Sequence, residues 1–351
     1  MDKLKRFDSL EFLRFFMAIG VCYAHLVPTL ANYFQEIDFQ TQILQSAHGM
    51  KAVIAFFIIS GFFLKTDGTL FDFISKKVIR LWPVLAFAAL IHISCIEDIF
   101  SLGFLQIGLG IVGKTNANAP NWYVCVLFWG LICFYLFLKN TDKKKQTLPL
   151  ILCSYFSFFL VCHGGGRLYS DVIYNIFTRG TLAGIYGIST GILLRRVWEY
   201  CKVLFDNIKF EKLIFTIFEL ALLPLFIYLS MFCKGVVTDL IYLTIFISLF
   251  FALLLQKGLI SKALAFLKPL GRYSYSIYMI HFPCFYYMKK LLWYNMGGYN
   301  KYAIILISIA IVTLVGVGVY HLIEVPFGKL LKRIYEKVKL RLENANNGGD
   351  L

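Results

Sequence analysis

Arg14 and His25 stand eleven residues apart in a stretch that is otherwise almost wholly apolar. Eleven residues are close to three helical turns, so the two side chains share a face, about 16 Å apart along the axis. Glu11 precedes Arg14 by three residues and lies near that face too. An ionisable group at mid-helix in lipid costs roughly 2.5–3.5 kcal/mol, so such groups turn toward a bundle interior or a polar cavity. A guanidinium there holds an anion through several donors. An uncharged imidazole takes a proton from an attacking hydroxyl. The plainer account is an arginine reaching back to headgroups and a histidine hydrogen-bonded to a neighbouring helix.

Other polar residues recur inside apolar runs. His281 follows Tyr278 by three residues and Ser274 by seven, which puts all three on one helical face. Arg179 opens a segment with glycines at 180, 184, 187 and 191, a small-residue pattern that lets helices approach closely. His92 reads as a satisfied core histidine, His48 and His163 as near the outer surface, and His321 as near the inner end of the last apolar run. No pair has metal-site spacing, so no metal is expected. The nine cysteines are scattered without a CxxC and read as small buried hydrophobes. Gly187-Ile188-Ser189-Thr190-Gly191 matches a hydrolase elbow and His163-Gly164-Gly165-Gly166 an oxyanion loop. That chemistry needs a strand-to-helix turn, which a membrane helix does not supply.

Apolar helices must position these groups. Of the 351 residues, 59% are hydrophobic, against about 45–50% in a soluble domain, and the mean hydropathy is +0.71. Runs long enough to cross a bilayer fall near 9–30, 49–65, 81–98, 121–138, 147–163, 175–194, 213–232, 236–255, 273–292 and 302–323. A shorter apolar stretch at 99–113, with Gly103, Gly108 and Gly110, suits a re-entrant or interfacial segment. The expected fold is all-α, a polytopic membrane protein of about ten transmembrane helices.

The net charge of +15 tests that count. With the N-terminus inside, 26 of the 35 lysines and arginines fall in inner segments, and only Arg14 and Arg179 fall within spans. This is the positive-inside asymmetry, and it places both termini in the cytoplasm. Basic patches between apolar runs argue against a nucleic-acid partner. The first run, behind Lys3, Lys5 and Arg6, is expected to be retained as a span, because Arg14 and His25 interrupt it and no small-residue cleavage site follows. The expected division is a transmembrane domain over 1–328 and a basic cytoplasmic tail over 329–351. The tail is amphipathic first, lying along the inner leaflet, and then disordered.

Several segments, taken in order, carry a resemblance. They are Arg6-Phe7-Asp8-Ser9-Leu10-Glu11-Phe12-Leu13-Arg14 running on to His25, Phe56-Phe57-Ile58-Ile59-Ser60-Gly61-Phe62, Arg80-Leu81-Trp82-Pro83, Asn121-Trp122-Tyr123, Ser274-Tyr275-Ser276-Ile277-Tyr278-Met279-Ile280-His281, and Ile323-Glu324-Val325-Pro326. Together they resemble the acyltransferase type 3 family over nearly the whole membrane domain. The resemblance implies a multi-pass enzyme of the inner or plasma membrane. It would move an acyl group, usually acetyl, from cytoplasmic acyl-CoA (acetyl-CoA as co-substrate, with no metal) to a hydroxyl of a cell-surface glycan or its lipid-linked precursor. It implies His25 as the catalytic base, Arg14 and Arg80 as donor-phosphate ligands, and Asn121, Trp122, Arg179, Tyr278 and His281 around the acceptor. Glu324 reads as structural or near the donor entrance. Direct attack on the thioester and a covalent acyl-histidine both fit. Acidic residues that some relatives carry after the tryptophan are missing here, and so is the extra soluble domain of others. A transporter or flippase for a glycan or small solute is the competing reading, although no inverted repeat or broken-helix pair is visible.

Overall fold

The computed structural model describes residues 8–34, 50–91, 102–105, 120–163, 172–173, 177–205, 210–232, 236–296 and 300–347. It is helical almost throughout. The helices are α1 (Asp8–Phe34), α2 (Met50–Phe62), α3 (Leu70–Ile91), α4 (Asn121–Asn140), α5 (Lys143–His163), α6 (Arg179–Leu204), α7 (Glu211–Phe232), α8 (Val236–Leu255), α9 (Leu259–Phe266), α10 (Lys268–Gly271), α11 (Ser274–Leu291), α12 (Lys301–Val319) and α13 (Val325–Asn347). A two-residue antiparallel ladder, β1 (Val172–Ile173) with β2 (Phe177–Thr178), leads into α6.

A helix overlaps each of the ten apolar windows. Among the described residues, four helices are long and apolar enough to cross a membrane by themselves: Ser9–Phe34, Asn121–Asn140, Glu211–Leu229 and Lys301–Asn344. Leu240–Leu255 with Leu259–Phe266, bent by 78°, makes a fifth if the pair counts as one span. That bend is a broken-helix element that the hydropathy pattern does not reveal. Glu219 of α7, fully buried, stabilises it by accepting from the Ser261 backbone N–H at 3.0 Å in the first turn of α9.

Local chemistry sets the helix ends. Thr69 and Asp72 form a reciprocal cap at the start of α3: the Asp72 N–H donates to Thr69 Oγ1 at 3.1 Å and the Thr69 N–H to Asp72 Oδ2 at 3.5 Å. The helix therefore begins well before the apolar window at 81–98. Thr178 caps α6 by accepting from the Thr181 N–H at 3.2 Å, and Asn300 caps α12 by accepting from Tyr302 N–H at 2.9 Å.

The tightest packing joins α2 and α6. A methyl group added at Gly191 would overlap the Ile58 carbonyl oxygen and come within 2.7 Å of Phe62 N, and one at Gly61 would overlap the backbone of Ile188. These contacts are backbone against backbone, as the small-residue spacing of α6 predicts. Ser189 lies inside this contact, fully buried, and donates to the Ile185 carbonyl at 2.7 Å. It is a helical serine and not an elbow nucleophile.

The tail is helical, and α13 follows α12 through a π-turn at Tyr320–Glu324 with no intervening loop. Lys301–Asn344 is thus one element of 44 residues, about 66 Å of helix. It prolongs the last apolar helix instead of starting a separate surface helix, and it remains helical through Asn347, within the segment expected to be disordered. His48, His92, Gly164, Gly165, Gly166, Gly108 and Gly110 lie outside the described residues. Of the 99–113 stretch, residues 102–105 rest on tryptophans of two helices. The Leu102 carbonyl accepts from Trp82 at 3.0 Å and the Phe104 carbonyl from Trp129 at 2.9 Å.

Candidate active site

A cavity of about 180 Å³ opens where α1, α2, α3, α4 and α11 converge. Arg14 enters it from α1, Lys77 and Arg80 from α3, Tyr123 from α4, and Ser274, Tyr275 and Tyr278 from α11. Arg14 is partly buried, pairs with Glu11 at 3.2 Å and lies 5.7 Å over the Phe63 ring. Lys77 and Arg80 are three residues apart on one helical face, before the predicted span at 81–98. Burial, then repulsion from Arg80 and Arg14, holds the Lys77 ammonium down at about 8. Three cations therefore line one small cavity, and one of them, Arg14, pairs with Glu11. Glu324 stands behind Arg80 close enough to attract it, and accepts from Ser276 Oγ at 2.6 Å. The arrangement suits a ligand with more than one negative charge.

An aromatic cluster leads inward from the cavity. The rings of Tyr123 and Tyr278 are 5.2 Å apart, and Phe56 lies 6.1 Å from the first and 6.2 Å from the second. Tyr278 is 5.7 Å from His281 on the next turn of α11. His281 then stacks on His25 of α1, with ring centroids 5.4 Å apart and planes inclined by 29°. Phe282 packs edge-on against His25 at 5.0 Å.

His281 is fully buried, and its Nδ1 is hydrogen-bonded to the Tyr278 carbonyl. A carbonyl oxygen only accepts, so Nδ1 carries the hydrogen, and in the neutral ring the lone pair sits on Nε2. That Nε2 is buried without a hydrogen-bond partner. A bare imidazole nitrogen therefore lies beside His25, and Tyr278 touches both His281 and the cationic cavity.

A family model described as an acyltransferase domain matches residues 7–322. The chain belongs to the acyltransferase type 3 family. No curated protein and no solved structure matches it. As an acyltransferase of this family with several apolar candidate spans, the chain is a membrane protein.

The family match contains every candidate residue except Glu324, which lies just past its end. The structure brings Arg14, Arg80 and Tyr278 to one cavity and His25 to His281, and α11 connects the two groups. Asn121, Trp122 and Arg179 do not line that cavity. Asn121 is fully buried at the first position of α4, the Trp122 ring lies 6.3 Å from Phe57, and Arg179 is 5% exposed at the first position of α6. His321 is 3.4 Å from the Tyr273 hydroxyl, apart from the His25–His281 pair.

Sequence reasoning misses Lys77, because the inner-side bias of basic residues already accounts for its charge. Its three-residue spacing from Arg80 was the available signal. Tyr123 and Ser60, hydrogen-bonded through their side chains, also line the cavity, where the sequence points only to the segments that contain them. A larger cavity of about 450 Å³ between α4, α5 and α6 is lined by apolar residues with Cys133, Cys153 and Thr181, and contains no cation to hold an anionic ligand.

Proposed function

We propose that this acyltransferase moves an acyl group, acetyl in the simplest case, from cytoplasmic acyl-CoA to a hydroxyl of a cell-surface glycan or its lipid-linked precursor. It would do so in the inner or plasma membrane, in a ten-span frame with both termini in the cytoplasm. The observation that carries this reading is that Tyr278 lines the cation-lined cavity and also packs against His281, which stacks on His25.

Acyl-CoA is a polyanion with a flexible thioester arm. Arg14, Lys77 and Arg80 would bind its phosphates, the arginines through forked donors and the lysine as a point charge. The arm would run along the Tyr123 and Tyr278 side of the cavity to bring the thioester carbonyl toward the histidines. An acceptor hydroxyl then gives its proton to His25 as its oxygen forms a bond to the carbonyl carbon. The tetrahedral intermediate collapses, the C–S bond breaks, and the departing thiolate takes the proton back from His25. Ester and free CoA are the products, and the imidazole is restored. His281, with Nδ1 tied to the Tyr278 carbonyl, holds the His25 ring in place from below. Trp122, Asn121 and Arg179 belong to the acceptor's side in this scheme, where an aromatic face suits a sugar ring.

Acetyl-CoA labelled in the acetyl group, supplied to inside-out membrane vesicles, tests the reading. Label recovered in ester linkage on glycan is the expected result. Label that crosses the membrane without changing its covalent partner would establish a carrier instead.

A further inference from the structure

Asp72 serves two helices at once. Its Oδ2 closes the cap at the start of α3 with Thr69. Its Oδ1 accepts from the Tyr335 hydroxyl at 2.5 Å and from Lys339 Nζ at 3.0 Å, both on α13. The residue is only 8% exposed, and the neighbouring Phe71 ring lies 5.8 Å from Tyr335. Further along, Gly328 faces the Ile79 carbonyl, so that a methyl group on it would sit 3.6 Å away. From Tyr335 to Gly328 and from Asp72 to Ile79 the chain moves the same number of residues in opposite directions. The two helices therefore run antiparallel in steady register, and Glu324 arrives beside Arg80 at the end of the contact. Lys77 and Arg80 both lie within or next to the stretch of α3 that α13 covers.

We propose that α13 is a splint for the anion site, with Tyr335 and Lys339 as positioning residues. By clasping Asp72 they fix the start of α3, so that Lys77 and Arg80 keep their charges directed into the cavity. Neither residue touches the ligand. The Tyr335 hydroxyl first, and Lys339 after it, hold the Asp72 carboxyl far below the usual carboxylate range. The clasp is therefore an ionised one throughout the working pH range. The inference rests on the reading of this cavity as the acyl-CoA site and extends it: donor affinity depends on a tail whose residues are distant in sequence from α3.

The test uses the full chain with both donors removed at constant shape, Tyr335→Phe with Lys339→Met, and Lys339→Arg as the charge-keeping control. CoA binding to the purified protein is measured by titration, and the acetyl-CoA KM and kcat are measured separately. The expected result is a KM and CoA Kd raised about threefold or more in the double variant, with kcat unchanged, a small fall in thermal midpoint and the arginine control near wild type. Wild-type affinity in the double variant overturns the splint and leaves the donor site standing. Loss of kcat and thermal midpoint with no selective change in KM also overturns it. A wild-type protein that binds no CoA overturns the donor reading and the splint with it.

Discussion

Replacing His25 with glutamine removes the proposed base while keeping a polar side chain of similar reach. A positioned general base contributes about 10²–10⁴-fold, which is about 2.7–5.4 kcal/mol of barrier. The geometry narrows the range. Among the described residues, the imidazole packed against His25 is His281, whose ring lies 5.4 Å away. A displacement of about 1 Å already costs on the order of a hundredfold, so His281 does not replace His25. The expected fall in kcat for His25→Gln is therefore about a thousandfold, with acetyl-CoA KM little changed. His281→Gln leaves the base in place and loosens its support, so the loss is smaller. If the two rings act as a unit, the double variant loses no more than His25→Gln alone. The assay is single-turnover transfer of labelled acetyl at saturating donor, on protein matched for folded yield. Wild-type kcat in His25→Gln would refute the base, and fully additive losses would refute the coupling of the rings.

Lys77, held down at about 8, makes donor binding pH-dependent. As pH rises through that value the ammonium loses its charge, so the acetyl-CoA KM climbs between neutral and alkaline pH; Lys77→Met raises KM at neutral pH and flattens the profile. Gly191→Ala forces a methyl group into the backbone of α2, and overpacking of this kind costs about 1–3 kcal/mol. Its thermal midpoint in detergent should drop, whereas Gly318→Ala, with nothing within 4 Å of the added carbon, should not. Alkaline phosphatase fused after residue 145 should be inactive if the α4–α5 junction faces the cytoplasm, and high activity would overturn the ten-span topology.

Helix positions were legible because lipid imposes length and hydropathy, and each apolar window overlaps a helix. Helix starts were less so. The Thr69–Asp72 cap begins α3 outside the apolar run, where hydropathy carries no information. The Gly-rich face of α6 announced its close contact, because small residues at helical spacing serve little else. Arg14 and His25 stood out as costly groups in lipid. Their separate destinations did not, since the stacking on His281 joins two helices far apart in sequence and no local pattern encodes it. Lys77 was hidden by a second explanation, the positive-inside bias, that accounted for its charge. The bend between α8 and α9 depends on Glu219 capping from another helix, again a non-local choice.

The glycine contact between α2 and α6 bears on how a group could pass from one side of the bilayer to the other. Alternating access requires two blocks of helices to part and close again. Here main chain touches main chain at Gly61 and Gly191, and no layer of side chains is present to let the surfaces slide. The contact favours α2 and α6 staying together as a packed pair. In the proposed scheme the acyl group needs no moving gate: it enters attached to sulfur, exits attached to oxygen, and the carrier that delivered it never leaves the cytoplasm.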